Sequence, residues 1–285
     1  MASLKEIKGR IASVQSTLKI TSAMKMVSSA KLHKVQGTAA SFAEYESRLS
    51  AMVATLRSVA KVSSPFTLSH ASKKRAIIVA LASDSSLCGG FNASAIKALN
   101  EAEKRLASEG YEEQTVIAIG EKMVAAATKA GCDMCRDFPT SIGDYTYADV
   151  ARLADWLMAE YAAERVDRVE VIYHHFHSMG RQTPASDQLL PITDDSLAAA
   201  EATDVEYIFE PSVEGLLASV VPYAVKTRMY EILLDNTTSE HAARTVAMQT
   251  ASDNANDLLD ELRLTYNKRR QQAITDELAD ITSHE

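Results

Sequence analysis

Helix breakers are scarce in this chain. Proline occurs six times and glycine ten times in 285 residues. No proline precedes Pro65, only Gly9 and Gly37 represent glycine before it, and neither type occurs from Tyr223 to Glu285. Two long stretches are therefore free to be continuous helix. No run of 18 apolar residues exists, so no transmembrane helix is expected. Three cysteines (Cys88, Cys132, Cys135) and a start, Met1 to Glu6, without an apolar signal core point to a reducing cytoplasm.

The usual carriers of chemistry are also missing. Asp84, beside Ser83, Ser85 and Ser86, has no assignable histidine base and no G-x-S-x-G elbow. Gly89-Gly90 fits neither the G-x-G-x-x-G nor the G-x-x-x-x-G-K-[ST] spacing, and reads as a tight turn feeding a helix capped by Asn92. Cys132 and Cys135 form a lone C-x-x-C without further ligands. On a strand His175 and His177 share a face while His174 points away, and no acidic or thiol group completes a metal site at obvious spacing. No catalytic, cofactor-binding or metal-binding residue is expected.

What is present is a repeat. From Leu4, steps of alternating three and four residues reach Ile7, Ile11, Val14, Leu18, Thr21, Lys25, Ser28, Leu32, Val35, Ala39, Phe42, Glu46, Leu49, Val53, Leu56 and Ala60. All but Thr21, Lys25, Ser28 and Glu46 are apolar, the pattern of a coiled-coil helix. Fully helical, Leu4 to Ala60 spans roughly 84 Å, against a radius of gyration of about 19 Å for a compact globule of this size. Such a helix needs a partner. Ser3 to Glu6 reads as a capping box that starts it.

The middle of the chain alternates strand and helix. Ala76–Leu81, Gln114–Ile119 and Val169–His174 read as strands, and 93–108, 121–130 and 146–165 as helices, the last opened by a Thr146/Asp149 capping box. Leu189–Ile192 and Val205–Phe209 read as edge pieces. From about Ser212 the chain is helical again, with Pro222 near the start and Leu258, Leu262, Ile274, Leu278 and Ile281 as its apolar stripe.

Charge is unevenly spread. Residues 1–61 hold ten Lys/Arg and three Asp/Glu (+7), residues 210–285 hold seven and thirteen (−6), and the formal net charge is −8. Only Phe42 and Tyr45 supply aromatics before residue 60, so the basic helix lacks a base-stacking surface. It suits an acidic helix of its own chain or an acidic protein surface better than nucleic acid. The expected fold class is α/β: a long antiparallel coiled coil of the N- and C-terminal helices plus a Rossmann-like α/β domain with a mostly parallel sheet. The expected division is 1–62, 73–210 and 212–285. The Thr21, Lys25 and Ser28 interruptions, and the polar tract Asn267–Gln272, read as surface that works against another protein.

Several ordered blocks carry a resemblance: Leu4-Lys5-Glu6-Ile7-Lys8-Gly9-Arg10-Ile11, Ile20 to Val27, Asp84 with Leu87-Cys88-Gly89-Gly90-Phe91-Asn92, Gln188-Leu189-Leu190-Pro191, Tyr207 to Pro211, Ser239 to Arg244, and Arg270-Gln271 with Ile274-Thr275. Over its whole length the chain resembles the gamma subunit family of F-type ATP synthases, departing from it at Ser85-Ser86. The resemblance implies a rotating central shaft that couples ion flow through a membrane rotor ring to conformational cycling in a hexamer of alpha and beta subunits. It implies contact with beta through Met24, Lys25, Arg244, Arg270, Gln271 and Thr275. Contact with the c-ring and the epsilon subunit is implied through Tyr207, Phe209 and Glu210. It also implies no cofactor, and peripheral membrane association through the complex at the cytoplasmic face of a bacterial inner membrane. The alternative is a coiled-coil adaptor carrying an α/β module.

Overall fold

The computed structural model describes residues 3–59, 64–70, 74–192, 210 and 212–283. Helix α1 (Leu4–Val59) is followed by β1 (Arg75–Leu81), α2 (Phe91–Ser108), β2 (Glu113–Ile119) and α3 (Glu121–Ala130). Then come β3 (Asp133–Met134), α4 (Tyr147–Ala162), β4 (Arg168–Ser178), β5 (Arg181–Leu190) and α5 (Val213–Ser283). Among the described residues no helix is long and apolar enough to cross a membrane.

Two compact units form: Met1–Ala30 with Arg244–Glu285, and Lys31–Ala243. Each long helix thus contributes to both, so the units part within the helices rather than at their ends.

The Lys31–Ala243 unit is built on one sheet of order β3-β2-β1-β4-β5. Its first four strands are parallel and β5 runs antiparallel to β4. Both faces are covered, as parallel strands require. Ile77, Val79 and Leu81 of β1 face a core shared with α4, with Val53 and Leu56 of α1 and with Leu217 to Leu233 of α5. Ala76, Ile78 and Ala80 face α2 and α3. This two-residue alternation sorts the strand side chains between two cores. Glu170, buried on β4, is held by Arg105 and Arg168, each at 2.5 Å, and accepts from Ser186 at 3.0 Å. A buried carboxylate so paired ties α2 to the sheet.

Local expectations meet the structure unevenly. The Thr146/Asp149 capping box forms in full. At the start of α1 only half of the box forms: Ser3 accepts from the Glu6 amide at 3.2 Å, while Glu6 pairs forward with Arg10. Asn92 caps nothing. Helix α2 begins at Phe91 after Gly90, and the Asn92 side chain reaches back to accept from the Ser83 amide at 3.1 Å. The Leu189–Ile192 edge piece is the end of a strand that begins at Arg181. Its polar residues and Pro184 hide it from a hydrophobicity pattern, and an edge strand tolerates both. Pro222 lies inside α5, beyond its first turn. Val205–Phe209 lies outside the described residues.

Candidate functional site

In open α/β sheets ligands bind where the strand order reverses, at the carboxyl ends of the strands. Here β1 has parallel neighbours on both sides, so the loop after it is the place to look. That loop is closed by the protein's own groups. The Asp84 carboxylate accepts from the amides of Glu121 (3.2 Å), Ile142 (3.1 Å) and Gly143 (3.3 Å) and from the Ser141 hydroxyl (3.0 Å). It therefore takes the anion position at the N-terminus of α3 that a phosphate would need. Ser83, Cys88 and Asn92 bond among themselves beside it.

The thiols and imidazoles are similarly occupied. All three cysteines are free. Cys132 packs with the α2/α3 core and Cys135 with the opposite one, so the two sit on different sheet faces. Burial pushes the Cys132 thiol up to about 11, aided by its bond to Glu103, and raises that of Cys135. Neither is a ready thiolate. His174 is buried, stacks on Phe91 at 4.1 Å and meets Ser94 at 2.8 Å. His175 bonds Asp235 and His177 bonds Thr183. Among the described residues no three His, Cys, Asp or Glu side chains group to hold a metal.

The Met1–Ala30/Arg244–Glu285 unit is where the structure departs most from the sequence pattern. Its two helices run antiparallel: Thr21 meets Ser252 at 2.8 Å, and Lys25 donates to Gln249 at 2.8 Å. Thr21 and Ser28 are buried. They are seam residues, not the outward working surface that their polarity suggested. On α5 the inward positions are Thr245, Met248, Ser252, Ala255, Leu259, Leu262, Tyr266, Arg269 and Ala273, a three-four series. The expected stripe was wrong except at Leu262: Leu258, Ile274 and Leu278 are exposed, and the Ile281 side chain is not among those described. Small and polar residues share this seam with large ones: Thr21, Ser28, Ser252 and Ala255 are buried along with Ile7, Met248 and Leu259. Other large residues are left outside: Ile20 (60% exposed), Met26, Val27 and Leu264 (72%). These side chains leave apolar surface open to solvent along the helical unit. Overfilling the seam with Ser28→Leu should lower stability by about 1–3 kcal/mol, read as a reduced urea midpoint of the full chain.

The residues implicated in partner contact are distributed as follows. Met24 and Lys25 are half-buried, and Arg270, Gln271 and Thr275 are exposed. The Thr275 hydroxyl bonds the Gln271 carbonyl. Arg244 is buried, at 6% exposure. Glu210 is exposed, while Tyr207 and Phe209 lie outside the described residues.

The family model described as ATP synthase matches residues 3–284. An ATP synthase gamma chain of Phocaeicola vulgatus is 44% identical over 284 residues, covering 99% of this chain and 98% of that one. The gamma chain of Parabacteroides distasonis is 45% identical over 283 residues, covering 99% and 97%. A chain of the Euglena gracilis mitochondrial ATP synthase in rotational state 3 shares the fold with a TM-score of 0.61 at 18% identity, covering 98% of this chain and 92% of that one. With a heptad-seamed helical unit, a five-stranded α/β sheet and relatives matching from end to end, the chain belongs to the ATP synthase gamma chain family.

Proposed function

We propose that this chain is the rotating central shaft of an F-type ATP synthase. It couples ion flow through a membrane rotor ring to conformational cycling in the alpha and beta subunits, and it carries no ATP chemistry of its own. The observation that supports this most is the end-to-end match to gamma chains, and the outward apolar side chains of the helical unit fit a surface enclosed by partners. In this reading Met24 and Lys25 face an acidic part of beta, Arg244, expected beside them, is buried within this chain, and Arg270, Gln271 and Thr275 touch the surrounding hexamer. Tyr207, Phe209 and Glu210 belong to the foot, against the c-ring and epsilon. The chain sits at the cytoplasmic face of a bacterial inner membrane, held there only through the complex. Exposed ion pairs contribute about 0–1 kcal/mol each, which suits a shaft that must leave one beta subunit for the next.

The test is co-purification. Tagged protein should bring down alpha and beta subunits from its own cells, and a pull-down without them sinks the reading in favour of a coiled-coil adaptor. Lys25→Ala combined with Arg270→Ala should leave assembly intact and lower ATP synthesis in membrane vesicles about two- to fivefold. Unchanged synthesis would remove charge from the coupling mechanism.

A further inference from the structure

The end of β4 carries a device that the shaft reading does not contain. Strand β1 pairs with β4 only as far as Ala80 opposite Ile172, yet β4 runs on to Ser178. Beyond Ile172 the β1 side of β4 has no strand beside it. On the other side β5 continues, with Pro184 opposite His174. His174 and Pro184 form a non-hydrogen-bonded pair of this antiparallel ladder, which is why a residue without an amide hydrogen fits there, and the His174 backbone groups point to the β1 side.

Helix α5 satisfies them with side chains. The Asn236 carbonyl oxygen accepts from the His174 amide at 3.1 Å, and the Ser239 hydroxyl donates to the His174 carbonyl at 3.0 Å. Asp235 accepts from the Phe176 amide at 2.9 Å, and its second oxygen meets the His175 ring at 2.6 Å. Asn236 and Ser239 are fully buried. Positions 235, 236 and 239 share one helical face, and their targets are alternate residues of one strand edge. Three polar side chains here do the work of a missing strand.

The geometry points to a rotational lock: Asp235, Asn236 and Ser239 are positioning residues that make α5 and the α/β body turn as one. This rests on the shaft reading. Apolar packing alone tolerates sliding and re-seating, because the hydrophobic effect is non-directional. Directed bonds do not. Rotating α5 by one residue, or shifting it by one turn of 5.4 Å, breaks all three at once and strands buried backbone groups. Two ionic links between α5 and the rest of this unit, Lys226 with Asp155 and Arg228 with Asp187, involve partly exposed side chains and resist such motion less. Helix α5 continues without a break from the lock to Ser283, so what is gripped at Asn236 is the helix that belongs to both units.

The experiment uses the assembled complex in inverted membrane vesicles, reading ATP-driven ion uptake per ATP hydrolysed. Asp235→Ala combined with Asn236→Ala should leave hydrolysis within about twofold and lower the uptake-to-hydrolysis ratio about tenfold, the scale set by losing the bonds to the His174 and Phe176 amides. Asp235→Asn keeps the acceptor for the Phe176 amide and should keep the wild-type ratio. A merely structural role would lower assembly or midpoint stability and leave the ratio alone, so an unchanged ratio in the double variant overturns the proposal. Should the double variant fail to assemble, Asp235→Ala alone decides, since that side chain is partly open to solvent: a reduced ratio supports the lock and an unchanged one overturns it. Failure of the shaft reading looks different, because wild-type chain would then bring down no alpha or beta subunits.

Discussion

Gly120→Ala should abolish folding of the Lys31–Ala243 unit. Gly120 joins β2 to α3 with φ of 99°, a backbone that side-chain-bearing residues rarely adopt. Strain is the smaller part. A Cβ built there lies 2.2 Å from the Ala82 carbonyl oxygen and 2.6 Å from its carbon, and both are backbone atoms that no rotamer change can move. The Ala82 amide bonds the Ile119 carbonyl at 2.8 Å and the Gly120 amide bonds the Thr140 carbonyl at 2.7 Å. Retreat would therefore break the junction of β1, β2 and the 140–143 loop that Asp84 gathers. The expected loss exceeds about 4 kcal/mol, a large share of a domain's stability. Gly37→Ala is the control. It sits within α1 with nothing within 4 Å of the new carbon and should gain up to about 1 kcal/mol. Urea unfolding of both variants checks the pair. A folded Gly120→Ala chain with a wild-type midpoint would refute the close-approach argument.

Gly120 also shows what the sequence exposes and what it hides. As the end of an apolar run it is legible, and so are β1, β2, the first two-thirds of β4 and the Thr146 cap. In each, one local rule acts alone: alternation or continuous burial for strands, a side-chain oxygen over free amides for the cap. The reason that position 120 must be glycine is the Ala82 carbonyl, 38 residues away in sequence, and no local pattern contains it. The α5 seam fails for another reason. Hydrophobic periodicity follows the apolar residues alone, whereas this seam takes polar and small residues, Thr245, Ser252 and Ala255, in the same three-four series as Met248 and Leu259. Where Ser252 and Ala255 make the seam and Leu258 and Leu264 stay outside, the two criteria part, and they part on the unit whose outer surface suits a partner. Asp235, Asn236 and Ser239 were invisible for a third reason. Polar residues in a helix read as a solvated face until a strand edge in need of donors and acceptors is placed against them.

The same strand edge makes the protein acid-sensitive through His174. Its ring is stacked on Phe91, its Nε2 meets Ser94, and its Nδ1 has no hydrogen-bond partner among the described residues. The side chains it meets from α2 are uncharged, as are Asn236 and Ser239, which α5 bonds to its backbone. A proton on this imidazole would leave a buried cation without compensation, so burial lowers its pKa to about 4 from the ordinary 6.5. The sign follows. Above pH 6.5 the ring is neutral in folded and unfolded chains alike and contributes no slope. Between 6.5 and 4 the unfolded chain binds the proton and the folded one does not, so stability falls as pH falls. Below about 4 both bind it and the loss levels off near 3 kcal/mol. Glu160, lowered chiefly by its bond to Arg165, and Asp167, lowered despite its burial by the Arg75 and Lys74 amides, add losses as carboxylates protonate, below the pH at which the His174 loss begins. Asp149, held down to about 2 chiefly by the Thr146 hydroxyl, contributes stability that is lost only at lower pH. Glu231, raised by burial, favours the folded state as the solution is acidified. The urea midpoint of the full chain should therefore drop steadily from pH 6.5 to 4.5, with the largest part of that drop absent in His174→Gln. The substitution costs stability at pH 7, so slopes are compared rather than midpoints. Equal slopes in the two chains would mean that His174 is not the group that titrates.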